Sequence, residues 1–275
     1  MDSCSLYYSL DLVASSGHVL TVEQRIALQT SLLILKKKYK FQRAMLWGKI
    51  LGIQENYFIA QGRGESEIKD RKYLYSLDCM EWFLLPLVTE SMIEEVSKAV
   101  RGHFIGEPSF VYEQIHSHGG GEEAAEGEEV IRVNEEKRLA VTVHLIDEDV
   151  SVVPRGAFIR NPLGHVQINR SFEGLSESEA RRLENYLHFH ERKTGNKKSI
   201  TDMGEWSPAI DFLDALSDDI PKGSWSLQFE CASRVCVLRS LLWPGLTFYH
   251  VPMTPQHGYI YIGFGMKNID LPFKL

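Results

Sequence analysis

Four short patterns in this sequence combine residue types that bind metal ions or transfer protons. They are His116-x-His118, Asp147-Glu148-Asp149, His188-x-His190 and the pair of Cys231 and Cys236. A structural zinc site needs four convergent ligands on a supported frame. Glycine and glutamate surround His116 and His118 without a frame that would hold two further ligands, so no metal site is predicted there.

The other three patterns have simpler structural interpretations. The acidic triplet at 147–149 separates two apolar runs, which predicts a solvated hairpin tip, because a carboxyl pKa rises only with burial or close partners. The histidines at 188 and 190 lie at a predicted helix end, where they commonly bond the last carbonyl groups. In a strand, Cys231 and Cys236 would point to opposite faces, which disfavours joint metal ligation or a disulfide.

Local catalytic signatures are missing from the sequence. It contains no Gly-x-Ser-x-Gly elbow, phosphate-binding Walker loop or His-Glu-x-x-His pattern. Gly263-Phe264-Gly265 lacks the third glycine and the following helix of a dinucleotide site. The sequence therefore predicts no enzyme, no catalytic residue and no cofactor, with an enzyme whose residues converge only in the fold as the alternative.

Composition restricts the class of protein further. The 275 residues are 44% hydrophobic with a net charge of -7, which is typical of a globular chain and argues against a general nucleic-acid binder. No window approaches the roughly 18 apolar residues of a membrane span. The four cysteines are few for this length and favour reduced thiols in the cytoplasm. We therefore expect neither nucleic acid nor membrane as a partner.

The clearest β pattern lies between residues 222 and 265. From Ser224 the sequence alternates, with Trp225, Leu227 and Phe229 on one face. Residues 235–242 are apolar on both faces and predict an inner strand, and residues 246–251 and 259–264 predict two more. Together these four segments predict an antiparallel meander.

The N-terminal half combines helical and β patterns. Helices are predicted at 5–14, 22–38 and 90–100; Thr21 and Gln24 form a capping box before the second. Its apolar stripe consists of Val22, Ile26, Leu32, Leu33 and Leu35. A hairpin of residues 41–50 and 57–61 and a third strand at 72–78 are predicted between these helices. The three lysines at 36–38 favour the negative end of the helix dipole, and a nucleic-acid or lipid patch is the alternative.

Residues 113–129 are rich in glycine and glutamate and predict a mobile acidic loop. After it, strands are predicted at 139–146 and 150–154, a helix from the capping box of Ser176 and Glu179 to 189, and a helix at 208–216. The predicted fold class is α+β, with antiparallel sheets, flanking short helices and the C-terminal meander. The predicted organisation is an N-terminal half (1–112), the acidic loop (113–129) and a C-terminal half (130–275), which can pack as one domain.

Long phrases throughout the chain resemble the radial spoke head protein 9 family of motile cilia and flagella. They include LWGKILGIQENYFIAQG (46–62), KYLYSLDCMEW (72–82), NRSFEGLSESEA (169–180) and LRSLLWPGLTFYH (238–250). The LRSLLWPG and YIGFG phrases also resemble the C-terminal part of the neighbouring head proteins four and six. The resemblance runs the full length of the chain, although no property of the family is assigned to residues 119–129.

This resemblance implies a structural, non-enzymatic subunit of the axonemal radial spoke head. Spoke heads meet the projections of the central pair, and that contact is relayed to the dynein arms. The implied partners are the four- and six-type head proteins and further head components, a second copy of the chain, and indirectly the spoke stalk and the central pair. The alternative function is a small-ligand or nucleotide-sensing module of a cytoskeletal complex.

One corner of the meander has the features of an interface hot spot. Trp243-Pro244-Gly245, with Tyr259 and Tyr261 nearby, would combine a large apolar surface with a fixed backbone. The alternative is that these residues close the core of this chain alone. The variant Trp243→Ala separates the two interpretations: an unchanged melting temperature with loss of head partners indicates an interface, and a loss of several kcal/mol of stability indicates a core residue.

Overall fold

The computed structural model describes residues 1, 5–13, 20–99, 102–116, 129–192, 207–230 and 234–273. The polar sequence ERKTGNKK (191–198) is typical of a flexible surface turn, but from position 193 it lies outside these residues, as does Cys231. The helices are α1 (Leu6–Asp11), α2 (Val22–Lys38), α3 (Glu90–Ala99), α4 (Glu135–Val150) and α5 (Glu177–Ala180). The α+β class is confirmed.

The strands of the described chain all follow α2, in groups separated by the later helices. They are β1 (Arg43–Ile50), β2 (Tyr57–Arg63), β3 (Arg71–Ser76), β4 (Phe83–Leu84), β5 (Val111–His116), β6 (Glu129–Asn134), β7 (Val152–Pro154), β8 (Phe158–Arg160), β9 (Val166–Ile168), β10 (Tyr186–His188), β11 (Trp225–Glu230), β12 (Val235–Ser240), β13 (Leu246–His250) and β14 (His257–Gly263). Single 3-10 turns occupy Leu183–Asn185, Leu216–Asp218 and Leu271–Phe273.

Eight strands of the described chain form one sheet in the order β11-β12-β13-β14-β1-β2-β3-β4. Strands β11 to β14 pair antiparallel, which confirms the predicted meander. Strand β1 pairs with β2 as the predicted hairpin and, in parallel, with β14. Gly48 lies at this parallel junction, where a Cβ atom would come within 2.1 Å of the carbonyl oxygen of Tyr261. The close approach of the two strands therefore requires glycine.

Alternate residues of this sheet face two different hydrophobic cores. On β14, Tyr259 and Tyr261 point toward α4, whereas Ile260 and Ile262 point toward α1 and α2. Strands β2 and β12 alternate in the same way, as the two-residue period of a strand requires, whereas a bulge between Leu46 and Gly48 shifts the alternation within β1. The sheet is thus covered on both faces, with α4 against one of them.

The prediction for residues 139–146 was wrong, because they lie inside helix α4 and not in a strand. Val141, Val143 and Ile146 are β-branched and favour a strand by propensity. The buried residues Leu139, Val143, Ile146 and Val150 nevertheless recur at spacings of four, three and four, which is the helical period. The acidic triplet at 147–149 is therefore in the last turn of a buried helix and not at a solvated hairpin tip.

Two further helix predictions were wrong: the helix that begins after Ser176 is shorter than predicted, and residues 208–216 form no α-helix. The capping box of Ser176 and Glu179 is present, but α5 ends after one turn and the chain becomes strand β10, so residues 188 and 190 are not at a helix end. The segment from Pro208 forms turns, followed by the 3-10 turn at Leu216. The turn at its start is closed by a helical hydrogen bond, from Asp211 N–H to the Ser207 carbonyl oxygen at 2.7 Å. Leu213 and Leu216 are then buried in two separate cores, and the segment does not continue as a helix.

The predicted bounds of the acidic loop, 113–129, were wrong at both ends. Residues 113–116 pair with β6 as the end of β5, and Glu129 begins β6. The residues between them, including His118, lie outside the described chain. Antiparallel pairing of the flanking strands thus brings the two ends of the segment side by side.

Helix α2 begins at the predicted capping box, where Gln24 N–H donates to Thr21 at 3.2 Å. Its predicted apolar stripe, however, is divided between two sides of the helix. Leu32 and Leu35 are buried, together with Leu28, whereas Val22, Ile26 and Leu33 are 68%, 62% and 44% exposed. The predicted stripe therefore covers more of the helix circumference than the sheet beneath it can bury.

Candidate functional site

A buried carboxylate in the last turn of α4 is the centre of the largest polar cluster of the described chain. One oxygen of Asp147 accepts hydrogen bonds from Trp47 Nε1 at 3.0 Å and from the Tyr259 hydroxyl at 2.8 Å. The other accepts from Arg71 Nη1 at 2.5 Å and from the Tyr73 hydroxyl at 2.6 Å. These donors come from β1, β14 and β3, so one side chain ties three strands to the helix.

A second acid, Glu67, extends this cluster beyond the end of β2. Arg63 donates to Gln61 at 2.8 Å and to Glu67 at 2.7 Å, and Glu67 also pairs with Arg43 at 3.2 Å. The guanidinium groups of Arg63 and Arg71 lie 4.9 and 4.7 Å from the ring centre of Phe189, which follows β10. We call Trp47, Gln61, Arg63, Glu67, Arg71, Tyr73, Asp147 and Tyr259 the Asp147 cluster.

The electrostatics of the Asp147 cluster favour a structural role over proton transfer. Burial alone would raise the pKa of Asp147, but the charge of Arg71 and the hydrogen bonds from Tyr73 and Tyr259 outweigh it and hold the pKa below its usual value. Burial and the adjacent Asp147 charge raise the pKa values of Tyr73 and Tyr259. Near neutral pH, a carboxylate whose pKa is lowered is a weak base, and phenols whose pKa values are raised are weak acids. These groups therefore suit neither role in general acid–base catalysis.

The other end of α4 carries a similar buried acid. Glu135 is fully buried and accepts from the backbone N–H groups of Ile105 at 2.8 Å and Gly106 at 2.6 Å. It also accepts from the hydroxyls of Tyr57, at 2.7 Å, and Tyr112. Burial would raise the pKa of Glu135, but these hydrogen bonds lower it. Both ends of α4 are thus fixed by a charged hydrogen-bond acceptor.

The two histidines of the pattern at 188–190 share one face of the chain at and beyond β10. His188 Nε2 lies 2.7 Å from Asp219 Oδ1, and Trp225 Nε1 donates to the other oxygen of Asp219 at 2.7 Å. His190 Nδ1 lies 2.6 Å from the carbonyl oxygen of Glu191. Asp219 therefore links β10 to β11. Among the described residues, no nucleophilic side chain lies within hydrogen-bonding distance of the His188–Asp219 pair.

Several concave spaces lined by described residues lie beside the Asp147 cluster. The first is a cavity of about 370 Å³ whose wall includes Trp47, Phe158 and Tyr259. The second is a groove of about 930 Å³ between α4 and the edge of the sheet at β4, with Leu84 and Leu87 at its rim. Because the groove carries acidic and basic side chains together, it does not favour a ligand of one charge.

The rings of the predicted interface corner are buried in this chain. Trp243 is 3% exposed, donates to Asp149 at 3.0 Å and belongs to the same core as Tyr259 and Tyr261. Pro244 is exposed, and Gly245 has a φ of +113°, which a residue with a side chain rarely adopts. This arrangement fits closure of the chain's own core, and an interface role for the corner stays a prediction.

Neither a metal site nor a membrane span is found among the described residues. No group of three or more His, Cys, Asp or Glu side chains there is arranged to hold a metal ion. No helix in those ranges combines the length and apolar content needed to cross a bilayer. The Asp147 cluster remains the main polar feature of the described residues. The sequence analysis did not predict it, because residues 139–146 were assigned to a strand and not to helix α4.

Buried His250 provides a test of how pH acts on this core. Its Nε2 accepts from Leu175 N–H at 3.1 Å and its Nδ1 lies 3.1 Å from the Gln256 carbonyl oxygen, so the ring is neutral. Burial lowers the pKa of His250 to about 4. Because the unfolded chain binds this proton near pH 6.5, stability is complete above pH 6.5 and falls as pH decreases toward 4.

We expect His250 to account for about 3 kcal/mol of stability lost between these two pH values. Urea unfolding of the wild type and of His250→Gln at several pH values would measure it. The variant should be less stable at pH 7 but show a shallower loss toward pH 4. Equal slopes for the two proteins would contradict the assignment.

Comparison with known proteins gives full-length matches. The chain is 60% identical over 277 residues to the radial spoke head protein 9 homolog of Danio rerio, and 47% identical to that of Homo sapiens. The homolog of Xenopus tropicalis is 46% identical over 278 residues. Each alignment covers 100% of both chains. No protein-family model matches the chain.

Proposed function

The chain belongs to the radial spoke head protein 9 family, and from this membership we propose that it is a structural, non-enzymatic subunit of the radial spoke head. Its place is the axoneme of motile cilia and flagella, where it is part of the cytoskeleton. Full-length identity of 46–60% to five homologues of that name is the observation that carries the proposal.

The proposed work of this subunit is mechanical. It is needed to assemble the spoke head and to transmit signals between the central pair and the dynein arms. The Asp147 cluster and Glu135 support this role, because each satisfies a buried charge by several fixed donors and so specifies one arrangement of helix and sheet. A rigid body of this kind keeps its outline when load passes through it.

The proposed direct partners are other spoke head proteins, including the four- and six-type subunits, and a second copy of the chain. The spoke stalk and the central-pair projections are proposed as indirect partners. Exposed apolar side chains support such contacts: Phe83 and Leu84 on the edge strand β4 are 50% and 46% exposed, and Leu87 is 80% exposed. The rim of the groove is therefore one surface that a partner can cover.

Depletion of the protein from a ciliated cell tests the proposal. We expect the protein in detergent-stripped axonemes of untreated cells, and after depletion we expect spokes that lack normal heads, with cilia that beat abnormally. Electron tomography of axonemes would measure head density, and re-expression of the wild type is the control. Absence of the protein from stripped axonemes, or intact heads after depletion, would overturn the spoke-head role.

The alternative, a small-ligand or nucleotide-sensing module, rests on the cavity beside Trp47. Its volume of about 370 Å³ lies within the range of roughly 300–1,000 Å³ typical of small-molecule sites. Thermal unfolding of the purified chain with and without nucleotides distinguishes the two functions. A saturable rise in melting temperature would favour the sensing module, whereas measurable turnover would contradict the non-enzymatic role.

A further inference from the structure

Helix α2 carries a second apolar face that the described residues leave exposed. Val22, Ile26, Leu33 and Ile34 are 68%, 62%, 44% and 60% exposed. At 100° per residue these four side chains fall within about a third of the helix circumference, on the side opposite the buried Leu28, Leu32 and Leu35. The stripe is interrupted between Ile26 and Leu33 by the polar residues Gln29 and Thr30, but an exposed apolar face on a surface helix is typical of a contact with another helix.

The apolar surface continues from α2 onto α1. Tyr7 and Tyr8 of α1 are 56% and 72% exposed. The guanidinium group of Arg25 lies 5.7 Å from the ring centre of Tyr7 and also pairs with Asp11 at 3.0 Å. These contacts hold α1 beside α2, so the two tyrosines border the stripe. The exposed surface is therefore wider than one helix face.

The charges at the two ends of α2 indicate what covers the stripe. Its first turn contains Glu23 and its last turn contains Lys36, Lys37 and Lys38, all of them exposed. Thr30, a small exposed residue, lies midway between Glu23 and Lys37 in sequence. If an identical helix packs antiparallel with the two Thr30 residues opposite each other, Glu23 of each copy lies beside Lys37 of the other. The same register places Ile26 beside Ile34.

We propose that the exposed face of α2 binds the same face of α2 in a second copy of this chain, antiparallel and about a two-fold axis at Thr30. This inference rests on the proposed function as an assembly subunit and specifies one partner and its surface. The contact is isologous, so each favourable pair occurs twice. A parallel arrangement would instead place like charges together at both ends of the helices.

Sedimentation of the purified full chain over a range of concentrations tests the contact. We expect a monomer–dimer equilibrium for the wild type and a dissociation constant at least about tenfold higher for Ile26→Lys. Because Ile26 is exposed, the melting temperature of the monomer should not fall. The matched control is Ile53→Lys, which changes a 70% exposed isoleucine between β1 and β2 and should leave the dimer intact.

Charge reversal separates a second copy from any other occupant. Glu23→Lys alone and Lys37→Glu alone should each weaken the dimer, whereas the two changes in one chain should restore it, because the reversed charges again face each other. A contact with a different protein would not be restored in this way. Dimers that form without restoration would overturn the antiparallel register.

Two further outcomes overturn the whole inference. They are a wild type that stays monomeric at its highest soluble concentration, and an Ile26→Lys variant that dimerises as the wild type does. A monomeric chain whose Ile26→Lys variant loses another head protein would show that the face serves a different partner. The sedimentation experiments use the purified chain alone. A negative result in them is therefore distinguishable from absence of the protein from axonemes, which tests the proposed function.

Discussion

Asp147→Asn should lower the free energy of unfolding by about 3–5 kcal/mol, the usual cost of removing one partner of a buried ion pair. The amide would leave the buried Arg71 guanidinium without its counter-charge. It would also place an N–H₂ group among donors from Trp47, Tyr73 and Tyr259, which now all point at the carboxylate. Since a domain has only about 5–15 kcal/mol of stability, a large share would be lost.

Urea unfolding and calorimetry of the purified variant would measure this loss. We expect the melting temperature to fall by about 10 °C, since 1 kcal/mol corresponds to about 2–4 °C in chains of this size. Glu94→Gln is the matched control, because it removes a carboxylate from an exposed position of helix α3 and should change stability by less than about 0.5 kcal/mol.

A double-mutant cycle with Arg71→Met would show whether the two charges act as a pair. Combined with Asp147→Asn, it should cost less than the sum of the single changes by about 1 kcal/mol or more. Additive losses would indicate that the neighbouring hydroxyl groups, and not the Arg71 charge, hold Asp147 in place. A loss below about 1 kcal/mol for Asp147→Asn would contradict the role given to the Asp147 cluster.

Trp243→Ala should destabilise the chain by about 3–5 kcal/mol, the range for truncating a buried aromatic ring. The ring is 3% exposed and its Nε1 donates to Asp149 at 3.0 Å, while Lys267 pairs with the same carboxylate at 2.8 Å. The substitution would open a cavity in the core and leave the end of α4 less firmly bound to the sheet. Calorimetry would measure the loss.

Two control variants separate the ring from its surroundings. Trp243→Phe retains most of the bulk and loses the hydrogen bond, so we expect a cost of about 1 kcal/mol from that bond, plus a small packing term. Pro244→Ala, at an exposed position, should have little effect. If Trp243→Ala kept its melting temperature but no longer co-purified with spoke head partners, the corner would be an interface and not a part of the core.

Local patterns in the sequence were sufficient for much of the sheet. The alternation of Trp225, Leu227 and Phe229 and the turn at 243–245 are properties of neighbouring residues, and the predicted meander is present. The capping boxes at Thr21 and Ser176 are also local, because each bonds only three residues away. They mark where a helix begins, but not its length.

Helix length and type were decided by contacts distant in sequence. Residues 139–146 have strand-like composition, yet they form a helix, because its buried stripe fits the face of the sheet that carries Tyr259 and Tyr261. After Ser176, the pairing of β10 with β7 stops the helix at one turn. Propensity differs by well under 1 kcal/mol per residue between helix and strand formers, so tertiary packing outweighs it.

By itself, the sequence determined the fold class, the meander, the helix starts at the capping boxes of Thr21 and Ser176, and the resemblance to a family, since all of these depend on residue types within a few positions of each other. Only the tertiary structure decided that Asp147 is a buried anchor and that three of the five residues of the predicted apolar stripe of α2 face solvent. The donors to Asp147 lie 74 to 112 residues away in the chain. Whether a carboxylate or an isoleucine is buried depends on what the fold brings beside it, and no local pattern records that.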